Sequence, residues 1–238
     1  AAAHLAAPLM AGNAVVVKTP ETSPLSGSVL GELVRDTLPS GLVNIVHGYG
    51  APAGDALVRH PLVRRIGFTG SVSTGLAIQR AAAESAVKHV SLELGGKNPF
   101  IVFPDADLDR VVEIAVAGMN FSWAGQSCGS TSRLLLHADI HDEIVERVAT
   151  RMRALRVGDP LDPASEMGPV NSSKQFERMQ DFIAGAAAQG ARLVTGGVRP
   201  AGVTFARGYW LEPTLYADVT QDMRVVREEI FGPIVCAQ

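Results

Sequence analysis

The sequence predicts an α/β protein that begins with a doubly wound parallel sheet. Short apolar runs, of the kind found in buried parallel strands, recur at regular intervals and are separated by stretches with helical spacing of apolar residues. The chain is 47% hydrophobic but only 5% aromatic, which is typical of an Ala/Val/Leu-rich α/β protein. Strand, helix and strand repeated in this way imply parallel strands joined by right-handed crossovers.

The first ninety-odd residues carry this alternation most clearly. The apolar runs predict strands at 14–18, 42–46, 65–69 and 87–92. The intervening segments predict helices at 24–37, 53–59 and 76–83. Ligands of such sheets bind at the carboxyl ends of the strands, so we expect binding residues just after these strands.

Gly95 and Gly96 interrupt the alternation, and a second α/β region follows. Its pattern predicts strands at 100–103, 134–137 and 191–195, helices at 108–119, 142–155 and 173–188, and a strand-like run near the end of the chain. We therefore divide the chain into domains 1–94 and 95–238. The opening segment resembles the tail of a helix, and we expect both domains to be incomplete.

Charge and cysteine content narrow the possible partners. The chain has 21 Lys and Arg against 24 Asp and Glu, with no basic stripe that would favour nucleic acid or an anionic membrane. No apolar run is long enough to span a bilayer. Two cysteines outside any CxxC motif indicate neither a disulfide framework nor a metal site, and they favour a reducing, cytoplasmic setting.

The turn from Gly70 to Gly75 is a candidate anion site. It lies between the strand RRIGFTG and a helix, where small residues and the first amides of the helix favour a phosphate. Its spacing differs from the usual GxGxxG dinucleotide fingerprint. A simple helix cap with a tight turn explains the same residues equally well.

Cys128 is a candidate nucleophile because it lies in a loop of small residues, Gly125 to Gly129. An unpaired cysteine is more often a small buried hydrophobic residue, and Cys236, in the apolar run IVCA, fits that interpretation. The same pentapeptide matches the G-x-S-x-G elbow of hydrolases, with Ser127 as nucleophile. That motif requires a preceding strand and a following helix, and here the order is reversed, so we reject it.

Glu93 is the second candidate, since it closes the predicted strand HVSLE at its carboxyl end. Sheets of this type keep their chemistry there, although an ordinary charged residue at a strand end is the alternative.

Seven segments together resemble the motifs of the aldehyde dehydrogenase family, in order and at similar spacing. They are VVVKTPETSP, RIGFTGSVSTG, SLELGGKNPFIVFPDADLD, GQSCGSTSR, GDPLDPASEMGP, GYWLEPTL and EEIFGP. The resemblance covers nearly the whole chain, and LELGGK with the GQxC loop is its most specific part. It implies a dinucleotide-binding domain followed by a catalytic domain.

The resemblance also implies a role for each candidate residue. Cys128 would be the nucleophile and Glu93 the general base. The implied contacts of NAD, with NADP possible, are Lys18 and Glu21 at the adenosine ribose, Gly50 at the adenine, Gly70, Ser71 and Gly75 at the pyrophosphate, and Leu94, Glu229 and Phe231 at the nicotinamide end. His4 departs from the family, which often has a lysine there.

The implied reaction is oxidation of a small-molecule aldehyde to a carboxylate with NAD(P)+, through a cysteine thiohemiacetal and thioester. Two alternatives stay open: a CoA-acylating relative, which usually lacks the glutamate, and a non-catalytic protein on the same fold. The resemblance further implies a homo-oligomer, a dimer or tetramer, for the full-length protein.

Overall fold

The computed structural model describes residues 5–238, so His4 lies outside the described part of the chain. The described residues fall into two compact units, which meet in sequence between Gly95 and Gly96. Both units are α/β and their sheets are largely parallel, which confirms the predicted fold class.

Unit one contains two parallel strand pairs, and each pair is flanked by helices. Its strands are β1 (Val15–Lys18), β2 (Val43–Val46), β3 (Arg65–Thr69) and β4 (His89–Glu93), and its helices are α1 (Ala6–Met10), α2 (Leu25–Arg35), α3 (Asp55–Arg59) and α4 (Val72–Ser85). β1 pairs with β2 and β3 pairs with β4. In register, Lys18 lies opposite Val46 and Thr69 opposite Glu93.

Two helices of unit one differ from the sequence prediction for identifiable local reasons. α4 begins at Val72, four residues before the predicted start, because Ser71 caps it by accepting a hydrogen bond from the Thr74 amide. α3 is short because a wide turn, Gly50–Gly54, takes up the residues before it.

Unit two is built on one five-stranded sheet with the strand order β5-β6-β9-β8-β7. Its strands are β5 (Pro99–Val102), β6 (Arg133–Leu136), β7 (Arg192–Thr195), β8 (Thr214–Ala217) and β9 (Ile234–Ala237), and its helices are α5 (Leu108–Gly118), α6 (His141–Arg153), α7 (Ser173–Ala188) and α8 (Arg224–Arg227). Only β7, at one edge, runs antiparallel to its neighbour. The sequence pattern predicted neither β8 nor α8.

The core of unit two lies in two clusters of buried side chains. One is centred on α5 and α6 and includes Leu134 and Ile144; the other is formed by α7 and β9 with Tyr216 and Phe182. Among residues 5–238, no helix has the length and apolar character needed to cross a membrane.

Candidate active site

The loop that carries Cys128 has a tightly specified backbone. It runs from the end of α5 to β6, and Asn120, Ala124 and Gly125 all have positive φ, of 54°, 51° and 65°. A Cβ at Gly125 would overlap the carbonyl of Gly232. Because that neighbour is backbone and cannot rotate away, the close approach requires glycine at position 125.

Ser130 anchors this loop from within. Ser130 is 6% exposed, and its hydroxyl donates a 2.9 Å hydrogen bond to the carbonyl of Met119. The side-chain Nδ2 of Asn120 donates in turn to the Ser130 hydroxyl at 3.4 Å. These contacts join the two ends of the loop and fix the segment between them.

Asn98, which precedes β5, holds the nucleophile position from outside the loop. Its Nδ2 donates to the carbonyl of Cys128 at 2.6 Å and to that of Ser130 at 3.3 Å. Cys128 itself is exposed. Within residues 5–238 its backbone N–H has no acceptor, so it is available to a ligand oxygen.

Cys236 has the opposite environment. It lies in β9 with no measurable exposure, and its thiol donates to the carbonyl of Val225 at 3.4 Å. Burial raises the pKa of the Cys236 thiol to about 11. A protonated, inaccessible thiol cannot attack a substrate, so of the two cysteines only Cys128 is placed for chemistry.

The segment that contains Glu229 and Phe231 is fixed by its backbone. Oε1 of Glu229 accepts a 3.1 Å hydrogen bond from the amide of Gly96. Phe231 has a positive φ of 60° and a side chain that is 38% exposed. A non-glycine residue holds such a conformation only when its surroundings impose it.

Helix α7 supplies those surroundings. Gln175 Nε2 donates to the carbonyls of Ile230 and Phe231 at 2.7 and 2.9 Å, and Arg178 donates to the Glu229 carbonyl at 2.8 Å. One turn of helix therefore holds three consecutive carbonyls.

Within unit two, the structure brings the cysteine loop and this segment together. They border one crevice, which is lined by Gly96, Gly125, Ser127, Ser130, Glu229 and Phe231, among others. Cys128 is next to Ser127 but is not part of the lining. The loop of the predicted nucleophile and two predicted cofactor contacts thus border the same crevice although about a hundred residues separate them in sequence.

In unit one, Glu93 and the candidate anion turn are directly connected. The amide of Gly70 donates a 3.0 Å hydrogen bond to the carbonyl of Glu93, and the Glu93 side chain is exposed at the end of β4. Gly75 is buried in the first turn of α4, where a Cβ would lie 3.0 Å from a methyl of Leu94. The small residue lets the helix start close to the strand end.

Three further predicted residues lie near β1 and β2: Lys18 ends β1, Glu21 follows it, and Gly50 follows β2. Lys18 and Glu21 form an ion pair at 3.0 Å, with side-chain exposures of 18% and 47%. Gly50 opens the wide turn before α3, and no atom lies within 4 Å of the position a Cβ would take. The space beside Gly50 is open.

Sequence reasoning missed the residues that position this site. Asn98, Gln175 and Arg178 were not selected, although each holds the backbone of a predicted site residue. For α7 a signal existed, since Gln175 and Arg178 are three apart and so lie on one face with Met179. For Asn98 the sequence offered only its nearness to LELGGK.

The fold and site together define an α/β protein with an exposed loop cysteine and a capped, glycine-rich turn after a parallel strand. The model of the aldehyde dehydrogenase family matches residues 1–238, and the chain belongs to that family.

Individual relatives show how much of the family fold the chain includes. It is 49% identical to aldehyde dehydrogenase tropH of Talaromyces stipitatus over 99% of its length, and 44% identical to betaine aldehyde dehydrogenase of Brucella ovis over 98%. These matches cover 46% and 48% of the two relatives. The chain thus spans about half the length of the curated relatives it matches.

Solved structures of family members also match nearly all of this chain and less than half of their own length. Betaine aldehyde dehydrogenase of Staphylococcus aureus in complex with NAD+ superimposes with a TM-score of 0.90 at 35% identity, over 94% of this chain and 44% of that one. HpcC of Thermus thermophilus gives a TM-score of 0.91 at 41% identity, over 95% and 44% of the two chains.

Proposed function

We propose that the protein containing this chain is an NAD(P)-dependent aldehyde dehydrogenase in which Cys128 attacks the aldehyde. The observation that carries the proposal is the Cys128 loop. It presents an exposed thiol beside a backbone N–H that has no acceptor within residues 5–238, on a backbone fixed by Asn98 and Gly125.

This arrangement suits addition to a carbonyl. The Cys128 sulfur, as thiolate, forms a bond to the aldehyde carbon, and the carbonyl electron pair moves to the oxygen to give a thiohemiacetal oxyanion. The Cys128 N–H would donate a hydrogen bond to that oxygen. One such donor is worth about 10²–10³ in rate where it has been removed from other enzymes.

The residues of unit one fit an NAD cofactor. Ser71 and the first turn of α4 offer a hydroxyl and helix-start amides to a pyrophosphate, and the Lys18–Glu21 pair offers a carboxylate to ribose hydroxyls. The relative from Staphylococcus aureus binds NAD+, which supports the same choice here. When bound, the nicotinamide supplies the hydride acceptor for the oxidation. Glu229 and Phe231 would hold its ribose and ring.

Glu93 completes the proposed reaction. Oxidation leaves a thioester on Cys128, and Glu93 would remove a proton from the water that hydrolyses it, releasing the carboxylate and the free thiol. The presence of Glu93 distinguishes this reaction from CoA acylation, in which CoA resolves the thioester. It also disfavours a non-catalytic protein, since Cys128, Glu93 and Glu229 are all retained.

The aldehyde proposed as substrate is a small molecule, and two aromatic residues lie near the nucleophile in sequence. Phe121 is 4% exposed and packs in the core, whereas Trp123 is 64% exposed beside the nucleophile loop. Because it is exposed, Trp123 could line an apolar pocket that accepts aromatic aldehydes, whereas the buried Phe121 could not. A cytoplasmic homo-oligomer is part of the same proposal.

The test is a panel of aldehydes, including betaine aldehyde and aromatic aldehydes, incubated with the intact protein and NAD or NADP. We expect reduced cofactor and carboxylate in equal amounts without CoA. Turnover only with CoA would establish the acylating alternative, and no turnover with any aldehyde of the panel would contradict the proposed activity.

A further inference from the structure

His47, the first residue after β2, makes a set of contacts that the proposed function does not use. Its Nδ1 shares a 2.7 Å hydrogen bond with the hydroxyl of Thr19, and its Nε2 shares a 3.1 Å hydrogen bond with the hydroxyl of Ser28. Thr19 follows β1 and Ser28 lies in α2. One imidazole therefore joins three segments of unit one.

Thr19 is the residue on which these contacts converge. It lies directly after Lys18, is 3% exposed, and its amide donates to the carbonyl of Val46 at 3.1 Å. Its methyl group packs so closely against Gly27 of α2 that a Cβ at position 27 would overlap it. A buried hydroxyl requires a hydrogen-bond partner, and for Thr19 that partner is His47.

Lys18 and Glu21, which form an ion pair, lie on either side of Thr19 at the turn after β1. A carboxylate whose direction is already fixed accepts two neighbouring hydroxyls with higher affinity, because each side chain that must be ordered on binding costs affinity. Glu21 is exposed and lies two residues after Thr19. Thr19 is held on one side by α2 and on the other by His47.

We propose that His47 is a positioning residue for the adenosine ribose of NAD, acting through Thr19 on the Lys18–Glu21 turn. This inference rests on the proposed function. It assigns to His47 no contact with the cofactor itself.

Replacing His47 with Phe keeps a ring but removes both hydrogen bonds. In the intact protein we expect the Kd for NAD to rise about tenfold, with kcat at saturating NAD changed less than about twofold. Thr19→Val should have a similar effect, and the double variant should be no worse than either single one, because the two residues act in one chain of contacts. His47→Asn, whose amide replaces Nδ1, should restore most of the affinity.

A cofactor analogue tests whether His47→Phe weakens NAD binding through the adenosine ribose. NAD that lacks the adenosine 2′-hydroxyl should bind the unmodified protein more weakly, and His47→Phe should weaken its binding by less than it weakens that of NAD. Equal weakening of both cofactors, or of nicotinamide mononucleotide as well, would overturn the role at the ribose. The matched control is His89→Phe, since His89 is exposed on β4 and its side chain makes no hydrogen bond within residues 5–238.

The proposed function and the role of His47 fail in different ways. If the unmodified protein binds no NAD, the proposed function is wrong and this inference with it. If the unmodified protein and His47→Phe bind NAD equally well, only the role of His47 is wrong. Unfolding temperatures measured for each variant identify any that lose affinity by unfolding.

Discussion

The Gly70 amide and the Glu93 carbonyl are joined by a 3.0 Å hydrogen bond. Gly70 opens the turn proposed to hold a pyrophosphate, and Glu93 carries the carboxylate proposed to activate water. The backbone that places one therefore also places the other. A ligand that orders the turn would stabilise the strand end from which the Glu93 side chain projects.

Cys128→Ala should abolish aldehyde oxidation by the intact protein while leaving NAD binding nearly unchanged, because the thiol forms the covalent bond and the loop backbone persists. The measurements are turnover and the Kd for NAD. Cys236→Ala is the matched control and should act as a modest packing change. Turnover by Cys128→Ala above a few per cent of the original would refute the assignment.

Glu93→Gln should separate the two halves of the reaction. We expect one equivalent of NADH in rapid-mixing experiments, followed by a stall at the thioester, since the amide cannot take a proton from water. Steady-state turnover should fall by about 10²–10⁴-fold. A normal steady state would contradict the role of Glu93, and loss of the first equivalent would assign it to activation of the thiol.

Glu21 should give NAD a preference of about tenfold in kcat/KM over NADP, or about 1.4 kcal/mol. A 2′-phosphate would place negative charge beside the carboxylate, and like charges about 4 Å apart repel by roughly 4 kcal/mol at an effective dielectric of about 20. Lys18, paired with Glu21, offsets part of this by attracting the phosphate. Glu21→Ser should narrow or invert the ratio, mainly through the KM for NADP, and equal efficiencies in the unmodified enzyme would contradict the argument.

Gly125→Ala should destabilise the protein by more than about 2 kcal/mol, because alanine must adopt a positive φ and its Cβ must overlap the Gly232 carbonyl. Urea unfolding of the intact protein measures the change. Gly129→Ala in the same loop is the control, since its Cβ would meet only the Ser127 hydroxyl at an ordinary 3.6 Å. It should cost less than about 1 kcal/mol, and equal costs would show that the contact with Gly232 does not constrain the loop.

The two thiols should respond differently to alkylation and to pH. Iodoacetamide at neutral pH should modify Cys128 in the folded protein and Cys236 only after unfolding. Because burial raises the pKa of Cys236 to about 11, above its usual value of about 8.5, the unfolded state loses this proton first. The contribution of the protonated Cys236 thiol to the free energy of unfolding is present below about pH 8.5. It is lost as the pH rises towards the folded-state pKa of about 11.

Urea unfolding between about pH 8 and about pH 11 should therefore show a steeper loss of stability for the unmodified protein than for Cys236→Ala. Parallel slopes would contradict this account of the buried thiol.

The sequence predicted the parallel strands well because each is a short apolar run bounded by turn residues. The prediction from sequence was less accurate where local patterns conflict with tertiary structure. β8 follows a proline-containing loop, and no α-helix lies between β7 and β8, so no alternation revealed it. In α2, Leu25 and Leu33 fit the helical pattern of a core face, yet they are 77% and 63% exposed.

The candidate site divides in the same way. Cys128, Glu93 and the Gly70 turn stand next to strands, where chemistry is expected, and the motif resemblance gave their roles. The supporting residues, such as Asn98 and Gln175, hold backbone carbonyls that are distant in sequence. Which carbonyls they hold follows from the folded geometry alone, because neither side chain has a sequence pattern that identifies its distant partner.

The position of β9 within its sheet has a consequence for biosynthesis. β9 is the last of the five strands in sequence, yet it lies in the middle of the order β5-β6-β9-β8-β7. Until a ribosome has released it, β6 and β8 have no common neighbour and Gly125 has no Gly232 beneath it. Closing such distant pairs is slow compared with local folding. The nucleophile loop therefore reaches its final conformation only after β9 has been translated. Until then β6 and β8 keep unpaired strand edges, which favour chaperone binding.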